Sequence, residues 1–417
     1  MSNMTLSDEL AWRGFINQTT LSDLTLLDEG PRTFYWGVDP SAPSMQIGNL
    51  AAAMMVRRFM DHGYPAYLLI GGATGLIGDP DGKSEERDLK SMEEIEANKA
   101  AIVKQYRQIF DGLDFKVVDN YDWFKDMGYL QFLREVGKHV PIRQMVGRDF
   151  VQSRLGEGGA GISYAEFSYS LIQGYDFLHL FREHGVTLQL AASDQWGNSI
   201  AGVELIRRVT GKEAHIWTTS LIVNKATGVK FGKTEDGAIW LDEKLTSVFK
   251  FYQFWLNIDD ESAEDYLKIY TLLPRDEIER IMHSFNNDRA GRLAQKALAD
   301  GITTIVHGED KALSAKRVSH VLFSGGDYAN LSPEDFKLLE AELPFTKAAG
   351  QVDALEALAN TGLAASNTEA RRLMSEGAIY LNGQPLGDKT TITPADTING
   401  YAILRRGKNS MALLKLT

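Results

Sequence analysis

Short apolar runs alternate with helical patterns from the N-terminus to about Leu241. Runs such as PAYLLIGG, FKVVD, VTLQLAAS and AHIWTTSLIV have the length and apolar content of buried strands. Longer segments with helical periodicity lie between them, such as LAAAMMVRRFMDHG and ISYAEFSYSLIQGYDFLHLFREHG. Repeated alternation of strand and helix predicts an α/β domain, with a mainly parallel sheet covered by helices on both faces.

The pattern changes after this first domain. TSVFKFYQFWLN and ESAEDYLKIYTLL read as helices, the first of them following a Thr/Ser cap. The next stretch, SGGDYANLSPEDF, contains Gly, Ser and Pro, which indicate turns and loops. A small α+β module starts after KAAGQ. We therefore predict a domain over 1–245, an all-helical domain over 246–325, a linker over 326–351 and a small module over 352–417.

Composition limits the classes of protein to consider. The 417 residues are 44% apolar and 24% charged, without a long uncharged apolar run, so we expect a globular chain and no membrane partner. MSNMTLSDELAWRG lacks the features of a secretory signal, which predicts a cytoplasmic location. With no Cys and 8 His that show no close pairing, we expect no protein-bound zinc and no other protein metal site.

Charge is unevenly distributed along the chain. The net charge of −12 argues against indiscriminate binding of nucleic acid. Residues 363–417, however, hold seven Lys and Arg against four Asp and Glu. The C-terminal module is thus mildly basic on an acidic protein.

Two Gly-rich loops occupy places where ligands bind in parallel sheets, beyond the carboxyl ends of strands. They are TFYWGVDPSAPSMQIGNL and YLLIGGATGLIGDPDGKSEER. The first lacks the Gly-x-Gly-x-x-Gly spacing of dinucleotide binders, and GDPDGKS in the second is one residue short of a P-loop. No motif therefore supports a dehydrogenase or a kinase function. Taken alone, each loop is better explained as a tight turn that binds nothing.

Three further stretches carry polar side chains that could bind a ligand. Tyr169, Gln173 and Asp176 are spaced i, i+4, i+7 along one helical face, which favours a polar pocket over a solvated stripe. AASDQWGN places Asp194 and Gln195 at the end of an apolar strand, where a ligand site and a helix cap are equally good explanations. VKFGKTEDG could bring two lysines to a polyphosphate, although lysines in a surface loop are usually only solvated.

Taken together, these segments resemble the bacterial tyrosyl-tRNA synthetases, which are class I aminoacyl-tRNA synthetases. GGATGLIGDP, SDQWGN, KFGKTEDGAIWLD, FYQFWLN and LRRGK carry the resemblance, which covers nearly the whole chain. It implies a Rossmann-like catalytic domain, a helical anticodon-recognition domain, an S4-like RNA-binding module and a homodimer. The implied reaction activates L-tyrosine with ATP to tyrosyl-adenylate and pyrophosphate, then transfers tyrosine to the 3′ end of tRNA(Tyr).

The resemblance also implies roles for individual residues. Tyr35 and Asp176 hold the phenol of tyrosine, whereas its ammonium and carboxylate are held by Asp79, Tyr169, Gln173 and Gln195. ATP, with Mg²⁺ as its partner, is bound by Gly37, Asp39, Gly48, Asp194 and Lys233. The catalytic set is Lys230, Lys233, Thr234, Lys83, Arg87, Gln46, Asn49 and Ser41. RNA is contacted by Arg371, Arg372, Arg405, Arg406 and Lys408.

One motif departs from the family pattern. Gln46 and Asn49 stand where the family has the two histidines of His-x-Gly-His. Neither side chain can carry charge, and losing a hydrogen bond to a charged group costs about 1.5–3 kcal/mol, or roughly ten- to a hundredfold in rate. A slower reaction is therefore expected rather than none. Trp36, Ala191 and Ala192 also add bulk at positions that are normally smaller.

The sequence leaves two alternative functions open. A divergent paralogue would adenylate tyrosine or a modified aromatic amino acid outside translation. A catalytically silent RNA-binding protein is the other, and retention of the implied tyrosine and lysine residues argues against it.

Overall fold

A computed structural model describes residues 4–80, 90–147, 149–159, 161–223, 231, 233–234, 237–324, 328–407 and 410–417. Its α-helices are α1 (Leu6–Arg13), α2 (Ile47–Asp61), α3 (Gly72–Ile77), α4 (Met92–Ile109), α5 (Tyr121–Phe124), α6 (Tyr129–Glu135), α7 (Ile142–Val146), α8 (Asp149–Leu155), α9 (Tyr164–His184), α10 (Trp196–Thr210), α11 (Val248–Leu256), α12 (Ala263–Tyr270), α13 (Arg275–Asn287), α14 (Leu293–His307), α15 (Glu309–Ser324), α16 (Pro333–Glu342), α17 (Ala354–Asn360) and α18 (Asn367–Ser375). Its strands are β1 (Gln18–Thr19), β2 (Phe34–Val38), β3 (Ala66–Ile70), β4 (Phe115–Asp119), β5 (Leu188–Ala192), β6 (His215–Thr219), β7 (Lys233–Thr234), β8 (Gly237–Ala238), β9 (Phe345–Ala348), β10 (Val352–Asp353), β11 (Ile379–Leu381), β12 (Gln384–Pro385), β13 (Thr391–Ile392), β14 (Tyr401–Arg406) and β15 (Ser410–Leu416). None of the helices in these ranges is long and apolar enough to cross a membrane.

The chain forms two compact units. The first comprises Met1–Thr246 and Ile258–Val306, and the second comprises Ser247–Asn257 and His307–Thr417. Helices predicted to form one domain over 246–325 are therefore divided between the two units. Helical periodicity identified these helices, but it carries no information about which core each apolar face packs against.

The first unit is built on a six-stranded sheet with the order β1-β6-β5-β2-β3-β4. All neighbouring pairs from β2 to β6 are parallel, and only the edge strand β1 pairs antiparallel. The predicted mainly parallel sheet is confirmed. From β2 the sheet continues through β3 to β4 on one side, and through β5 to β6 on the other. The strand order therefore reverses between β2 and β5. Ligands bind at such a switch point in open parallel sheets.

Helix α9 is held closely against α10 through two glycines. A Cβ added to Gly202 would lie 3.0 Å from Cβ of Phe177, and one added to Gly174 would lie 3.3 Å from the Gly202 nitrogen. Ser163 caps the start of α9, and Gly185 ends it with a left-handed φ of 67°. This packing fixes the rotation of α9 and hence the direction of its polar side chains.

A buried charge cluster joins α1 to α2 in the first unit. Glu9 accepts from Arg13 at 2.7 Å and lies 2.9 Å from Nε2 of His62, while Arg58 donates to the Thr271 carbonyl at 2.9 Å. Burial would raise the pKa of Glu9, but the His62 hydrogen bond and the Arg58 and Arg13 guanidiniums lower it to about 2. The cluster anchors α2, whose N-terminus faces the pocket described below.

The second unit has a five-stranded sheet with the order β12-β11-β14-β15-β9. Alternate side chains of β14 and β15 point to opposite faces. Ala402, Leu404 and Leu414 pack with α17 and α18, whereas Ile403 and Leu413 pack with α15 and α16. The sheet thus separates two hydrophobic cores.

The segment 326–351 differs from the linker that was predicted. It holds α16 and β9, and β9 pairs in parallel with β15. Ser332 caps α16 in a capping box with Asp335, and Pro333 occupies the first turn. Burial of Phe336 and Leu339 in the core of the second unit stabilises this segment.

Candidate active site

A pocket opens where β2 and β5 end, at the switch point of the sheet. It encloses about 330 Å³, within the ~300–1,000 Å³ typical of small-molecule sites. The structure brings thirteen of the predicted site residues together as its lining: Tyr35, Gly37, Asp39, Ser41, Gln46, Gly48, Asn49, Asp79, Tyr169, Gln173, Asp176, Asp194 and Gln195.

The other predicted residues are only partly covered by the structure. Lys83, Arg87, Lys230 and Lys408 lie outside the described residues. Lys233 and Thr234 form β7, which pairs with β8, but their side chains are outside the description too. The predicted phosphate-binding roles of these residues remain predictions.

A phenol and a carboxylate lie side by side in the buried part of the pocket. Tyr35 and Asp176 are each 2% exposed, and the Tyr35 hydroxyl has no hydrogen-bond partner among the described residues. The Tyr35 ring packs on Phe177 with centroids 5.2 Å apart. Burial, reinforced by the Asp176 carboxylate, raises the pKa of Tyr35 far above its ordinary value. This end of the pocket suits a ligand that carries a hydroxyl group.

Asp176 is held by two donors from the chain that follows β4. Asn120 donates to Oδ2 at 3.1 Å, and the indole of Trp123 donates to Oδ1 at 2.9 Å. Burial raises the pKa of Asp176 well above that of an ordinary carboxyl, while these two hydrogen bonds oppose the shift. Both carboxylate oxygens therefore have fixed positions.

A second hydrogen-bonded group connects β2, α3 and α9. Asp39 accepts from the hydroxyl of Tyr169 and from that of Thr74, each at 2.6 Å. A Cβ on Gly71 would lie 2.0 Å from Oδ1 of Asp39, so only glycine leaves space for this carboxylate. Burial, together with the Asp39 and Asp79 carboxylates, raises the pKa of Tyr169 and keeps it neutral.

Asp79 and Gln195 form the polar side of the pocket. Gln195 donates to Asp79 at 2.6 Å, and Asn198 donates to Oε1 of Gln195 at 3.1 Å. The buried Oε1 of Gln173 has no protein partner among the described residues. Carboxylate and amide oxygens beside amide donors match the ammonium and carboxylate of an amino acid.

The N-terminus of α2 forms another part of the lining. Gln46 is the N-cap, and its backbone N–H donates to Oδ1 of Asn49 at 3.0 Å. Nothing lies within 4 Å of where a Cβ on Gly48 would sit, so a ligand can approach the backbone there. The partial positive charge of a helix N-terminus favours phosphate.

Trp36 belongs to the pocket lining, and its ring is buried against the α4 segment. Its ring packs on Tyr106 and Phe110 of the α4 segment, with centroids 5.5 and 6.3 Å away. Successive β2 residues face opposite sides of the sheet, so Tyr35 and Gly37 are on the opposite side. The large residue at position 36 is thus accommodated by α4.

Comparison with known proteins identifies the family. Residues 27–324 match the class I tRNA synthetases for tryptophan and tyrosine, and residues 335–414 match the C-terminal domain of tyrosine–tRNA ligases. The tyrosine–tRNA ligase of Bacillus caldotenax is 44% identical over 421 residues, which cover 99% of this chain and 100% of that protein. The chain belongs to the class I tyrosine–tRNA ligase family.

Other members of the family agree in sequence and in structure. The tyrosine–tRNA ligase of Rhodopirellula baltica is 42% identical over 427 residues, covering 99% of this chain and 96% of that one. The crystal structure of a C-terminally truncated mitochondrial tyrosyl-tRNA synthetase from Aspergillus nidulans matches with a TM-score of 0.69 and 31% identity, covering 77% of this chain and 95% of that chain. The family and the ATP-dependent ligase activity predicted from the motifs are confirmed.

Three residues in or next to the ligase pocket lie in no motif that the sequence analysis singled out: Gln189 in the lining, and Asn120 and Trp123, which hold Asp176. Asn120 directly follows β4, and the rule that ligands bind beyond parallel strands could have found it. Gln189 is hidden in the apolar run of β5, where its buried Oε1 has no protein partner among the described residues. No local signal marked Trp123.

The predicted RNA-binding arginines lie in the second unit. Arg371 and Arg372 are exposed on α18, and Arg372 pairs with Glu376 at 2.9 Å. At the end of β14, Arg406 reaches Glu369 of α18 at 3.2 Å, and the guanidinium of Arg405 lies 4.1 Å from the Tyr380 ring centroid. The ion pair of Arg406 with Glu369 connects the end of β14 to α18.

Proposed function

We propose that this ligase activates L-tyrosine with ATP and transfers it to tRNA(Tyr), with the pocket at the β2–β5 switch point as the site of activation. The observation that carries the proposal is the unpartnered Tyr35 hydroxyl beside the fixed Asp176 carboxylate. A substrate phenol can donate to Asp176 and accept from Tyr35. Phenylalanine would leave both groups unpaired, which is the basis of strong discrimination in a buried site, as the known behaviour of this enzyme family illustrates.

The amino and carboxyl groups of tyrosine are assigned to the polar side of the pocket. Asp79, Tyr169 and Gln173 offer oxygen atoms to the ammonium, and Gln195 offers an amide to the carboxylate. Gln195 already donates to Asp79, Asn198 donates to both of them, and Tyr169 is held by its hydrogen bond to Asp39. The substrate would therefore meet a largely preorganised site.

Activation needs no protein nucleophile. A carboxylate oxygen of tyrosine attacks the α-phosphorus of ATP, and the bond to pyrophosphate breaks. The contribution of the protein is to orient the reactants and stabilise charge. We assign the nucleotide to Gly37, Asp39, Gly48 and Asp194, and its phosphates to the N-terminus of α2 at Gln46 and Asn49, with Ser41 nearby in the lining.

The remaining phosphate contacts are assigned to two segments rich in basic residues. Lys83, Arg87, Lys230 and Lys233 would neutralise the departing pyrophosphate, and the hydroxyl of Thr234 would donate a hydrogen bond to it. Within the described residues, no group of three or more His, Cys, Asp or Glu side chains is placed to hold a metal ion. We therefore expect Mg²⁺ to arrive with the phosphates of ATP.

For tRNA, we propose a contact surface on α18 and at the end of β14. It comprises Arg371, Arg372, Arg405 and Arg406, and Lys408, which lies outside the described residues, is assigned to the same role from the sequence. Such contacts to the RNA backbone should weaken steeply as salt concentration rises. A nitrocellulose-filter titration with tRNA at several salt concentrations tests this surface. Salt from about 50 to 200 mM covers roughly the range over which contacts to the RNA backbone weaken.

We also propose that the ligase is a homodimer. Among the described side chains of the segment 129–164, five apolar ones are more than half exposed, namely Tyr129, Leu130, Ile142, Leu155 and Tyr164. Exposed apolar groups of this kind commonly mark protein–protein contacts. Sedimentation should give twice the monomer mass, and Leu130→Asp should shift the protein toward monomer; a monomeric wild type would contradict the proposal.

The substrate is tested by amino-acid-dependent exchange of pyrophosphate into ATP. Tyrosine, phenylalanine and tryptophan should be compared in one preparation. We expect exchange with tyrosine and almost none with the other two. Preference for another aromatic amino acid would favour the divergent paralogue instead.

A further inference from the structure

Trp123 makes two contacts that link the tyrosine pocket to a histidine outside it. Its indole N–H donates to Asp176 at 2.9 Å. Its ring is stacked on the imidazole of His179, with centroids 4.4 Å apart and planes 20° from parallel. His179 follows Asp176 by one turn of α9 and is not part of the pocket lining.

The orientation of Trp123 depends strongly on this stacking. The side chain belongs to α5, a helix of only four residues (Tyr121–Phe124), and it is only partly buried. A single hydrogen bond leaves the indole able to tilt, whereas a second contact over its face restricts the ring plane. Aromatic stacking of this type contributes about 0.5–1.5 kcal/mol beyond its buried area.

We propose that His179 is a positioning residue for tyrosine recognition, because its ring holds the indole of Trp123 in the orientation that donates to Asp176. The inference rests on the proposed function, in which Asp176 accepts from the substrate phenol. His179 itself touches no substrate. Loss of its ring should therefore affect tyrosine and leave ATP unaffected.

The surroundings of His179 indicate which property of the ring matters. It faces Trp123, Tyr175 at 6.1 Å and His184 at 6.4 Å, and it borders a groove that also contains Glu96, Lys99, Asp119 and Asp122. Burial lowers the pKa of His179, and His184 and Arg182 lower it further against the opposing effect of Glu183. The imidazole is therefore neutral at pH 7, and an uncharged aromatic ring should replace it.

Three variants separate stacking from other effects. His179→Ala removes the ring, His179→Phe keeps a flat ring, and His179→Leu keeps volume without aromaticity. His184→Ala is the matched control, because His184 is exposed on the same helix and stacks on Tyr67 at 4.8 Å rather than on Trp123. Pyrophosphate exchange gives kcat and the KM for tyrosine and for ATP with each variant.

We expect His179→Ala and His179→Leu to raise the KM for tyrosine about 2- to 13-fold, the range that corresponds to 0.5–1.5 kcal/mol. The KM for ATP should stay within about twofold, the aromatic variant should recover the wild-type tyrosine KM, and His184→Ala should match wild type. If His179→Ala does not fold, the comparison of Leu with Phe decides the question.

Two results would overturn the inference. One is a wild-type tyrosine KM in the variants that lack the ring. The other is an equal rise in the KM for ATP, which would indicate general structural damage. Both differ from failure of the proposed function, for which the wild-type protein itself would show no tyrosine-dependent exchange.

Discussion

Replacing Tyr35 with Phe removes one oxygen atom from the buried part of the pocket. The ring contact with Phe177 is kept, and among the described residues the hydroxyl has no protein hydrogen bond to lose. The free energy of unfolding should thus change by no more than about 0.5 kcal/mol. Tyrosine binding, in contrast, should lose one neutral hydrogen bond of about 0.5–1.5 kcal/mol, which raises the KM for tyrosine roughly 2- to 13-fold.

The matched control is Tyr64→Phe. Tyr64 is equally buried in the first unit, but its hydroxyl donates to the Leu27 carbonyl. Its replacement should lower the free energy of unfolding by about 0.5–1.5 kcal/mol and leave tyrosine kinetics unchanged. Urea unfolding and pyrophosphate exchange with tyrosine and phenylalanine measure both quantities. The reasoning is refuted if Tyr35→Phe destabilises the protein as Tyr64→Phe does while keeping its preference for tyrosine.

Three further predictions concern the pocket and its support. Gln46→His should speed formation of tyrosyl-adenylate about fivefold, because a charge-bearing donor gains about 1 kcal/mol over a neutral one; a single-turnover rate at or below wild type would contradict this. Gly71→Ala places a Cβ 2.0 Å from Oδ1 of Asp39, so displacement of that carboxylate should reduce exchange by roughly a hundredfold, and unchanged exchange would show that the space is not needed. Glu9 has its pKa lowered from 4.5 to about 2, so its stabilisation of about 3 kcal/mol is present above pH 4.5 and lost as pH falls towards 2. Glu9→Gln should therefore cost most near neutral pH, and urea unfolding that shows the same loss at every pH from 7 to 3 would count against this assignment.

The sheet and most helices of the first unit were predictable from the sequence because their signals are local. Apolar runs of strand length and helical periodicity are properties of neighbouring residues. The resemblance to a known family supplied the pocket residues that come from β2, α2 and α9. Neither signal required knowledge of how distant segments meet.

The support of Asp176 could not be predicted in this way. Asn120 and Trp123 are 56 and 53 residues from Asp176 in sequence, and only the fold brings them together. The error over 326–351 has a related cause. Ser332 and Pro333 do signal a helix start, but the burial of α16 and the pairing of β9 depend on β14 and β15 much later in the chain.

The most direct test of the account is charging of a bacterial tRNA pool with radiolabelled tyrosine, in a preparation already shown to catalyse tyrosine-dependent exchange. We predict that tyrosine becomes attached to tRNA in an ATP-dependent reaction and that phenylalanine does not. Attachment would also show that Gln46 and Asn49 suffice at the N-terminus of α2. Exchange without any charging would contradict a role as a tRNA ligase and would support adenylation of tyrosine for another purpose.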